Sequence, residues 1–217
     1  MNNKHSFWEA LIITIFIFGI GILIGLFIEN SRSDEVSEMY LKSQINLLDV
    51  QLQSQLIERG EIDCDYAVES NINFGDRIYQ EAKKLTRYES ASRITDSLIQ
   101  QHRRYDLLRT LFWVNSINIK EECNHPFHTI VYLYSYEPDN SEKKQTQAVF
   151  SRYLEQLKQE KGNEIVLIPI ATNLDITYIN LLMNKYNITS EELPLVLVDE
   201  NDKVRSIDNL KDIQQLI

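Results

Sequence analysis

The stretch ELPLVLV, residues 192–198, decides the fold of this chain. Its proline, Pro194, stands directly before four consecutive aliphatic residues, and a short apolar run bounded by turn residues is typical of a buried β-strand. We therefore predict a strand over 195–198 that begins immediately after an X-Pro bond. The polar residues 199–202 predict a turn, and a further strand is expected over 203–207.

Upstream of this stretch, two more predicted strands alternate with helices. The run TIVYLY at 129–134 is rich in β-branched and aromatic residues, and EIVLIPIA at 164–171 is a second apolar run. Apolar periodicity predicts three helices, over 141–161, 175–186 and 209–217. The order βαβαββα indicates an α/β domain over residues 125–217, with a mixed four-stranded sheet.

This order of elements resembles the thioredoxin-like fold, and the X-Pro bond ahead of the third strand is the most specific part of the resemblance. In that family the proline is cis and faces the active-site loop. The resemblance therefore implies a cis bond at Leu193–Pro194 and a groove for extended peptide beside it. The family's strand order, 2-1-3-4, places the second strand at an edge of the sheet. Pro169 in that strand agrees with an edge position, because proline donates no ladder hydrogen bond.

The redox motif of the family is missing from this chain. A Cys-x-x-Cys pair would stand just after the first strand, where residues 134–141 read YSYEPDNS. Because serine does not cycle electrons as a thiol does, we predict a redox-inactive domain with no catalytic residue and no cofactor. No metal site is assigned either, since Cys123, His125 and His128 lack the fourth ligand of a closed zinc site.

Residues 31–124 are predicted to form a helical region between a membrane anchor and that domain. Helices are expected over 36–59, 73–88 and 94–122, after a polar joint at 31–35, and the apolar segment 107–114 should be the most buried part. One face of the first helix carries aliphatic residues at 4-3-4 spacing, which are Leu41, Ile45, Leu48 and Leu52, continued by Leu56. This face is either a short coiled-coil seam or a surface packed against the chain's own domain.

The two cysteines, Cys64 and Cys123, lie near the beginning and the end of the helical region. In an oxidising compartment two isolated cysteines naturally form one disulfide. Linking these two would close a loop of about 59 residues, which is worth roughly 4 kcal/mol in the chain-entropy model. The alternatives are two unrelated buried thiols in a cytosolic domain and a pair that performs thiol-disulfide exchange.

Residues 10–28, ALIITIFIFGIGILIGLFI, contain no charged residue. As a helix they would measure roughly 28 Å, close to the hydrocarbon thickness of a bilayer. We predict a single transmembrane anchor over residues 7–28, within an N-terminal segment 1–30. A cleaved signal peptide has a shorter apolar region of about 7–15 residues and a small-x-small cleavage site, which is not seen here. Gly21 and Gly25 form a G-x-x-x-G pair that favours self-association of membrane helices, although glycine is also frequent in such helices.

Charge restricts the partners and bears weakly on orientation. The net charge of −10 argues against a nucleic-acid partner and against a domain that lies flat on anionic lipid. Lys4 precedes the apolar segment, whereas Arg32 and Lys42 follow it, so the positive-inside rule gives little bias. The cysteines instead favour a cell-membrane protein with a cytoplasmic N-terminus and an extracytoplasmic soluble part.

The function predicted from these features is that of a single-pass membrane protein whose redox-inactive domain binds or scaffolds an unknown protein partner. The first alternative is a thiol-disulfide exchange protein that uses Cys64 and Cys123. The second is a structural subunit of a membrane or surface assembly. A homo-oligomer is compatible with each of these three functions.

Overall fold

The computed structural model describes residues 3–59, 63–91, 96–124, 127–138 and 140–217. The chain divides into two compact units, residues 1–44 and residues 45–217. Every described residue of the first unit is helical, and the second unit holds a helical region and a four-stranded sheet. The predicted boundary between residues 124 and 125 lies inside the second unit, because the helical region packs directly on the sheet there.

Among the described residues there are six α-helices, α1 Asn3–Glu58, α2 Cys64–Ala91, α3 Asp96–Glu122, α4 Ser141–Lys161, α5 Thr177–Lys185 and α6 Ile213–Leu216. Short 3-10 helices span Gly162–Glu164, Ser190–Glu192 and Ile207–Asp212. The segment Phe7–Leu26 of α1 is 20 residues long and apolar enough to cross a membrane, and none of it is buried within the chain. The predicted polar joint at 31–35 is helical instead, because this segment contains no glycine or proline to interrupt α1.

The four strands are β1 His128–Tyr134, β2 Ile165–Ala171, β3 Leu195–Val198 and β4 Asp202–Val204, in the order β2-β1-β3-β4. β1 is parallel to β2 and antiparallel to β3, and β4 pairs antiparallel with β3. The predicted mixed four-stranded sheet is confirmed. Pro169 lies in the edge strand β2, opposite Tyr132. β4 is shorter than predicted, and a 3-10 helix follows at Ile207–Asp212.

Helices cover both faces of the sheet and bury side chains that alternate along its strands. On one face, residues of the helical region and α5 pack against the sheet, including Leu108, Phe112, Trp113, Ile168, Ile179, Leu195 and Leu197. On the other face, α4 and the C-terminal helical segment do so, including Ile130, Phe150, Leu154, Leu157, Val196 and Ile213. This alternation follows from the two-residue period of a strand, which sends neighbouring side chains to opposite faces.

Several apolar side chains of the helical region are exposed in the structure. Of the two interpretations of the aliphatic face of α1, packing on the second unit is not observed for Ile45, Leu48, Leu52 and Leu56, which belong to that unit and are exposed. Leu41, in the first unit, is exposed within that unit. Val50 and Ile57, on another side of the helix, are buried instead. Most of the segment 107–114 is buried, including Leu108, Phe112 and Trp113, whereas Leu107 is exposed and the charged Arg109 is buried among them.

Candidate binding cleft

A cleft of about 570 Å³ opens where β1 and β2 end, beside α5 and the segment that leads into β3. Its lining consists of Ser135, Thr172, Asn173, Asn180, Met183, Asn184, Asn187, Ile188, Thr189, Ser190 and Leu193. Every one of these side chains is uncharged, and most of them carry an amide or a hydroxyl group. Such groups both donate and accept hydrogen bonds, so the cleft suits a ligand that is polar and neutral.

The loop that follows β1 is held by two side-chain amides. Gln147 of α4 donates to the carbonyl of Ser135 and accepts from its backbone N–H, both at 3.0 Å. Asn173 does the same for Tyr136, accepting from its backbone N–H at 2.6 Å and donating to its carbonyl at 2.9 Å. Four backbone groups of a two-residue segment are therefore bonded by side chains. The loop wall of the cleft is thus fixed in shape.

The segment ahead of β3 forms another wall and is fixed by charged groups that lie outside the lining. Glu192 accepts from the backbone N–H and the hydroxyl of Thr189, at 2.8 and 3.2 Å, in a capping box. Arg205 donates to the other carboxylate oxygen at 2.8 Å. These hydrogen bonds lower the pKa of Glu192 below its ordinary value, with the bond from the Thr189 backbone as the largest cause. The peptide bond Leu193–Pro194 that follows is cis.

A buried ion pair that no sequence pattern indicated lies at the end of β2, next to the lining residue Thr172. Asp106 and Arg109 of α3 are 3.0 Å apart, and Asp106 also accepts from the backbone N–H of Ala171 at 3.2 Å, where β2 ends. The second carboxylate oxygen of Asp106 has no hydrogen-bond partner in the described part of the chain. Burial raises the pKa of Asp106 to about 6, although Arg109 opposes the shift.

His102, one turn before this pair on α3, contacts the loop from below. Its ring lies 4.1 Å from that of Tyr136, centroid to centroid. Burial lowers the pKa of His102 to about 4, and the positive charge of Arg109 adds to that effect. His102 is therefore neutral at physiological pH, and the Asp106–Arg109 pair and His102 together support the cleft from the side of α3.

The shifted pKa values of His102 and Asp106 should have opposite effects on the way the free energy of unfolding changes with pH. Between pH 6.5 and 4 the unfolded chain protonates His102 and the folded chain does not, so acidification lowers the free energy of unfolding. Between pH 6 and 4 the folded chain protonates Asp106 and the unfolded chain does not, so acidification raises it. His102→Gln should therefore make stability at pH 5, relative to pH 7, higher than in the parent chain.

Asp106→Asn provides the opposite variant for this comparison, because only the His102 effect remains. Its stability should fall more steeply between pH 7 and pH 5 than that of the parent chain. Urea unfolding of the full chain in detergent, followed by tryptophan fluorescence at both pH values, measures the change in stability from pH 7 to pH 5. The parent chain and the two variants are compared by this change. The same change in all three proteins would contradict the pH effects assigned to His102 and Asp106, because the other titrating groups are common to the three proteins.

The residues singled out from the sequence lie in three separate places. Leu193 lines the cleft, and Pro194 is buried immediately beside it. Cys64 begins α2 and Cys123 follows α3, and the two form a disulfide with a Cα–Cα distance of 5.5 Å. Neither cysteine belongs to the cleft lining. Gly21 and Gly25 lie in α1, and a Cβ built on either would meet no atom within 4 Å.

The sequence predictions missed most of the residues that shape the cleft. Asn173, Asn180, Asn184 and Asn187 are four asparagines within fifteen residues, and this local density was the only available signal. Within the described ranges, no three His, Cys, Asp or Glu side chains are grouped as a metal site would require. Comparison of the chain with protein-family models, with curated proteins and with solved structures finds no match. Function must therefore be inferred from the cleft itself.

Proposed function

We propose that this chain is a membrane-anchored binding protein that captures an extended segment of a partner protein in the cleft. The observation that carries the proposal is the uncharged, amide-rich lining beside the cis bond Leu193–Pro194. An extended segment presents rows of backbone N–H and carbonyl groups, which are neutral and strongly polar. Amide and hydroxyl side chains match those groups without burying a charge, and burying an unpaired charge would cost several kcal/mol.

The resemblance to thioredoxin-like proteins supports this use of the cleft. The strand order β2-β1-β3-β4 and a cis proline directly before β3 are features of that fold. In that family, the groove beside this proline receives extended peptide. In this chain the loop that would carry the redox cysteines has Ser135 and Tyr136, held by amide side chains rather than by thiol chemistry. The proposed activity is therefore binding without electron transfer.

The apolar members of the lining give the cleft its contacts with ligand side chains. Met183, Ile188 and Leu193 stand among the amides, so that alternate residues of an extended ligand meet apolar surface. Methionine is flexible and polarisable and accommodates side chains of different shape. We expect broad selectivity for neutral, partly apolar segments, and weak binding of segments rich in Asp or Glu, since the protein carries a net charge of −10.

The proposed location is the outer face of a cell membrane, with α1 as the anchor. The segment Phe7–Leu26 has the length and composition of a membrane span. The Cys64–Cys123 disulfide suits an oxidising compartment, which favours an extracytoplasmic position for the second unit. The N-terminus is then on the cytoplasmic side. A protein so placed meets extended segments of other membrane or exported proteins.

A photoreactive amino acid introduced at Asn184 of the full chain tests both parts of this proposal. Native membranes are first floated on a density gradient, and an anchored chain must float with them. After irradiation, we expect discrete protein adducts, because Asn184 lines the cleft. Adding Asn180→Asp should lower the adduct yield about tenfold, since a carboxylate only accepts hydrogen bonds and its charge must be desolvated.

Asn163 provides the matched control for this experiment. It is exposed in the 3-10 helix Gly162–Glu164, which lies before β2 and outside the cleft lining. The photoreactive residue at 163 should give no discrete adduct, and Asn163→Asp should leave the yield from position 184 unchanged. Equal adducts from the two positions, or none from 184, would contradict binding in the cleft. A chain that does not float would contradict the anchor alone.

A further inference from the structure

The exposed aliphatic face of α1 within the second unit consists of Ile45, Leu48, Leu52 and Leu56, which we call the α1 stripe. These side chains are 66%, 58%, 61% and 39% exposed, respectively. Single exposed leucines are ordinary on protein surfaces, whereas a continuous row of large aliphatic side chains marks an interaction surface. The stripe is therefore a candidate interface that the cleft does not use.

The same helix already packs on its own unit through other residues. Asn46, Val50 and Ile57 are buried, and the last two belong to the main core cluster. α1 thus carries two apolar sides, and its own domain covers only one of them. A rotation of α1 that buried the stripe would expose Val50 and Ile57 instead. The exposure of the stripe is accordingly a consequence of how the unit packs, and another molecule is needed to cover it.

The spacing of the stripe is that of a two-stranded helical seam. Ile45, Leu48 and Leu52 stand three and four residues apart, as consecutive a, d and a positions of a heptad do, and Leu56 follows at the flanking e position. The pair Ile45 at a and Leu48 at d is the combination that favours two parallel strands. Such a seam is self-complementary, because the same residues of two copies meet across a two-fold axis.

The residues that flank the α1 stripe are also compatible with a parallel dimer. In a parallel dimer, Gln44 lies opposite Asp49 of the other copy, and Gln51 lies opposite Leu56 of the other copy. Neither pair brings like charges together, although the chain as a whole is acidic. A parallel arrangement is compatible with two copies anchored in one membrane, since both enter the bilayer in the same direction.

We propose that the α1 stripe is the seam of a parallel homodimer formed by two copies anchored in one membrane. The proposal rests on the membrane anchor put forward above. The seam covers 45–56, about 17 Å of helix, which is too short for a stable isolated coiled coil. Anchoring supplies the missing stability, because confinement to one bilayer raises the effective concentration of the second copy. We therefore expect dimers in the membrane.

Energy transfer between donor-labelled and acceptor-labelled full chains in phosphatidylcholine vesicles tests this dimer. Ile45→Glu should weaken association about tenfold or more, because it places two carboxylates opposite each other in the seam. Leu181→Glu is the matched control, since Leu181 lies on α5 and is 61% exposed, the same fraction as Leu52. Mixing Ile45→Glu chains with Ile45→Lys chains should restore transfer, because opposite charges then meet at one a position.

The outcomes separate the dimer from the anchor. Three results would each overturn the proposed seam. The parent chain could show no energy transfer, Ile45→Glu and Leu181→Glu could show equal transfer, or the mixed sample could fail to restore transfer. So would a dimer that survives Ile45→Glu and is lost in Gly21→Ile with Gly25→Ile, which would place the contact in the membrane span. Chains that do not float with the vesicles would refute the anchor and, with it, the basis of the dimer.

Discussion

Replacing Lys120 by methionine should lower the free energy of unfolding by about 3–5 kcal/mol, the cost of removing one partner from a buried charge cluster. The ammonium group of Lys120 lies 2.5 Å from Asp199 and 3.1 Å from Glu200, and it donates to the hydroxyl of Thr129 at 3.0 Å. The side chain is only 7% exposed. Without it, two carboxylates remain close together with no lysine between them.

The backbone conformation of the β3–β4 turn also depends on this cluster. Asp199 and Glu200 have φ values of 45° and 63°, in the left-handed region that glycine favours. Such conformations cost of order 1 kcal/mol or more per residue and persist only when surrounding contacts hold them. Here Lys120, Thr129 and the indole N–H of Trp113, which donates to Glu200 at 2.8 Å, supply those contacts. Losing Lys120 should therefore also loosen the turn.

Two further variants make the measurement specific. Lys120→Met combined with Glu200→Gln should recover part of the loss, because one of the two carboxylates that Lys120 paired with is gone. Lys161→Met is the surface control, since Lys161 pairs with an exposed Glu164 at 3.7 Å and should cost at most about 1 kcal/mol. Chemical unfolding in detergent reports all three values. A Lys120→Met chain as stable as Lys161→Met would show that the cluster contributes little.

Removing the disulfide should have the second large effect. Cys64→Ser with Cys123→Ser should lower the free energy of unfolding by about 4 kcal/mol, because the unfolded chain regains the freedom of a loop of about 59 residues. Both α2 and α3 lie within this loop. The parent chain measured in reductant should match the double serine variant, and a parent chain unaffected by reductant would contradict a stabilising bridge.

The same variant separates the structural use of the cysteines from thiol exchange. Below its lowered melting temperature, the double serine variant should still give the adducts expected from position 184, since neither cysteine lines the cleft. Loss of those adducts in a variant that remains folded would favour the exchange alternative. Cys123 packs against the main hydrophobic core, which is the surrounding of a structural bridge rather than of an accessible reactive pair.

The sequence was sufficient to predict the strands of the sheet because their signal is local. Short β-branched runs separated by helical periodicity specify each element from its own residues, as at TIVYLY and LVLV. The edge position of the second strand was implied by the resemblance, and the chemistry of Pro169 agreed with it. The α1 stripe shows the limit of such reasoning. Spacing reveals that a helix face is apolar, but it does not reveal whether that face or the one with Val50 meets the core.

The residues around the cleft were harder to predict because their roles depend on distant partners. Gln147 and Asn173 bond the loop from positions 12 and 37 residues away, and neither belongs to a recognisable motif. Asp106 and Arg109 form an ordinary i,i+3 pair in the sequence, which is usually a solvent-exposed pair. Only tertiary packing shows that this pair is buried under the end of β2.

The amide bonds from Gln147 and Asn173 to the loop have a consequence for how the protein tolerates its surroundings. Amides neither ionise nor exchange electrons, so the loop wall keeps its hydrogen bonds in acid, in alkali, and in reducing or oxidising media. In the proposed extracytoplasmic position, the second unit would meet such changes directly. This wall of the cleft would then keep the same hydrogen bonds through all of them.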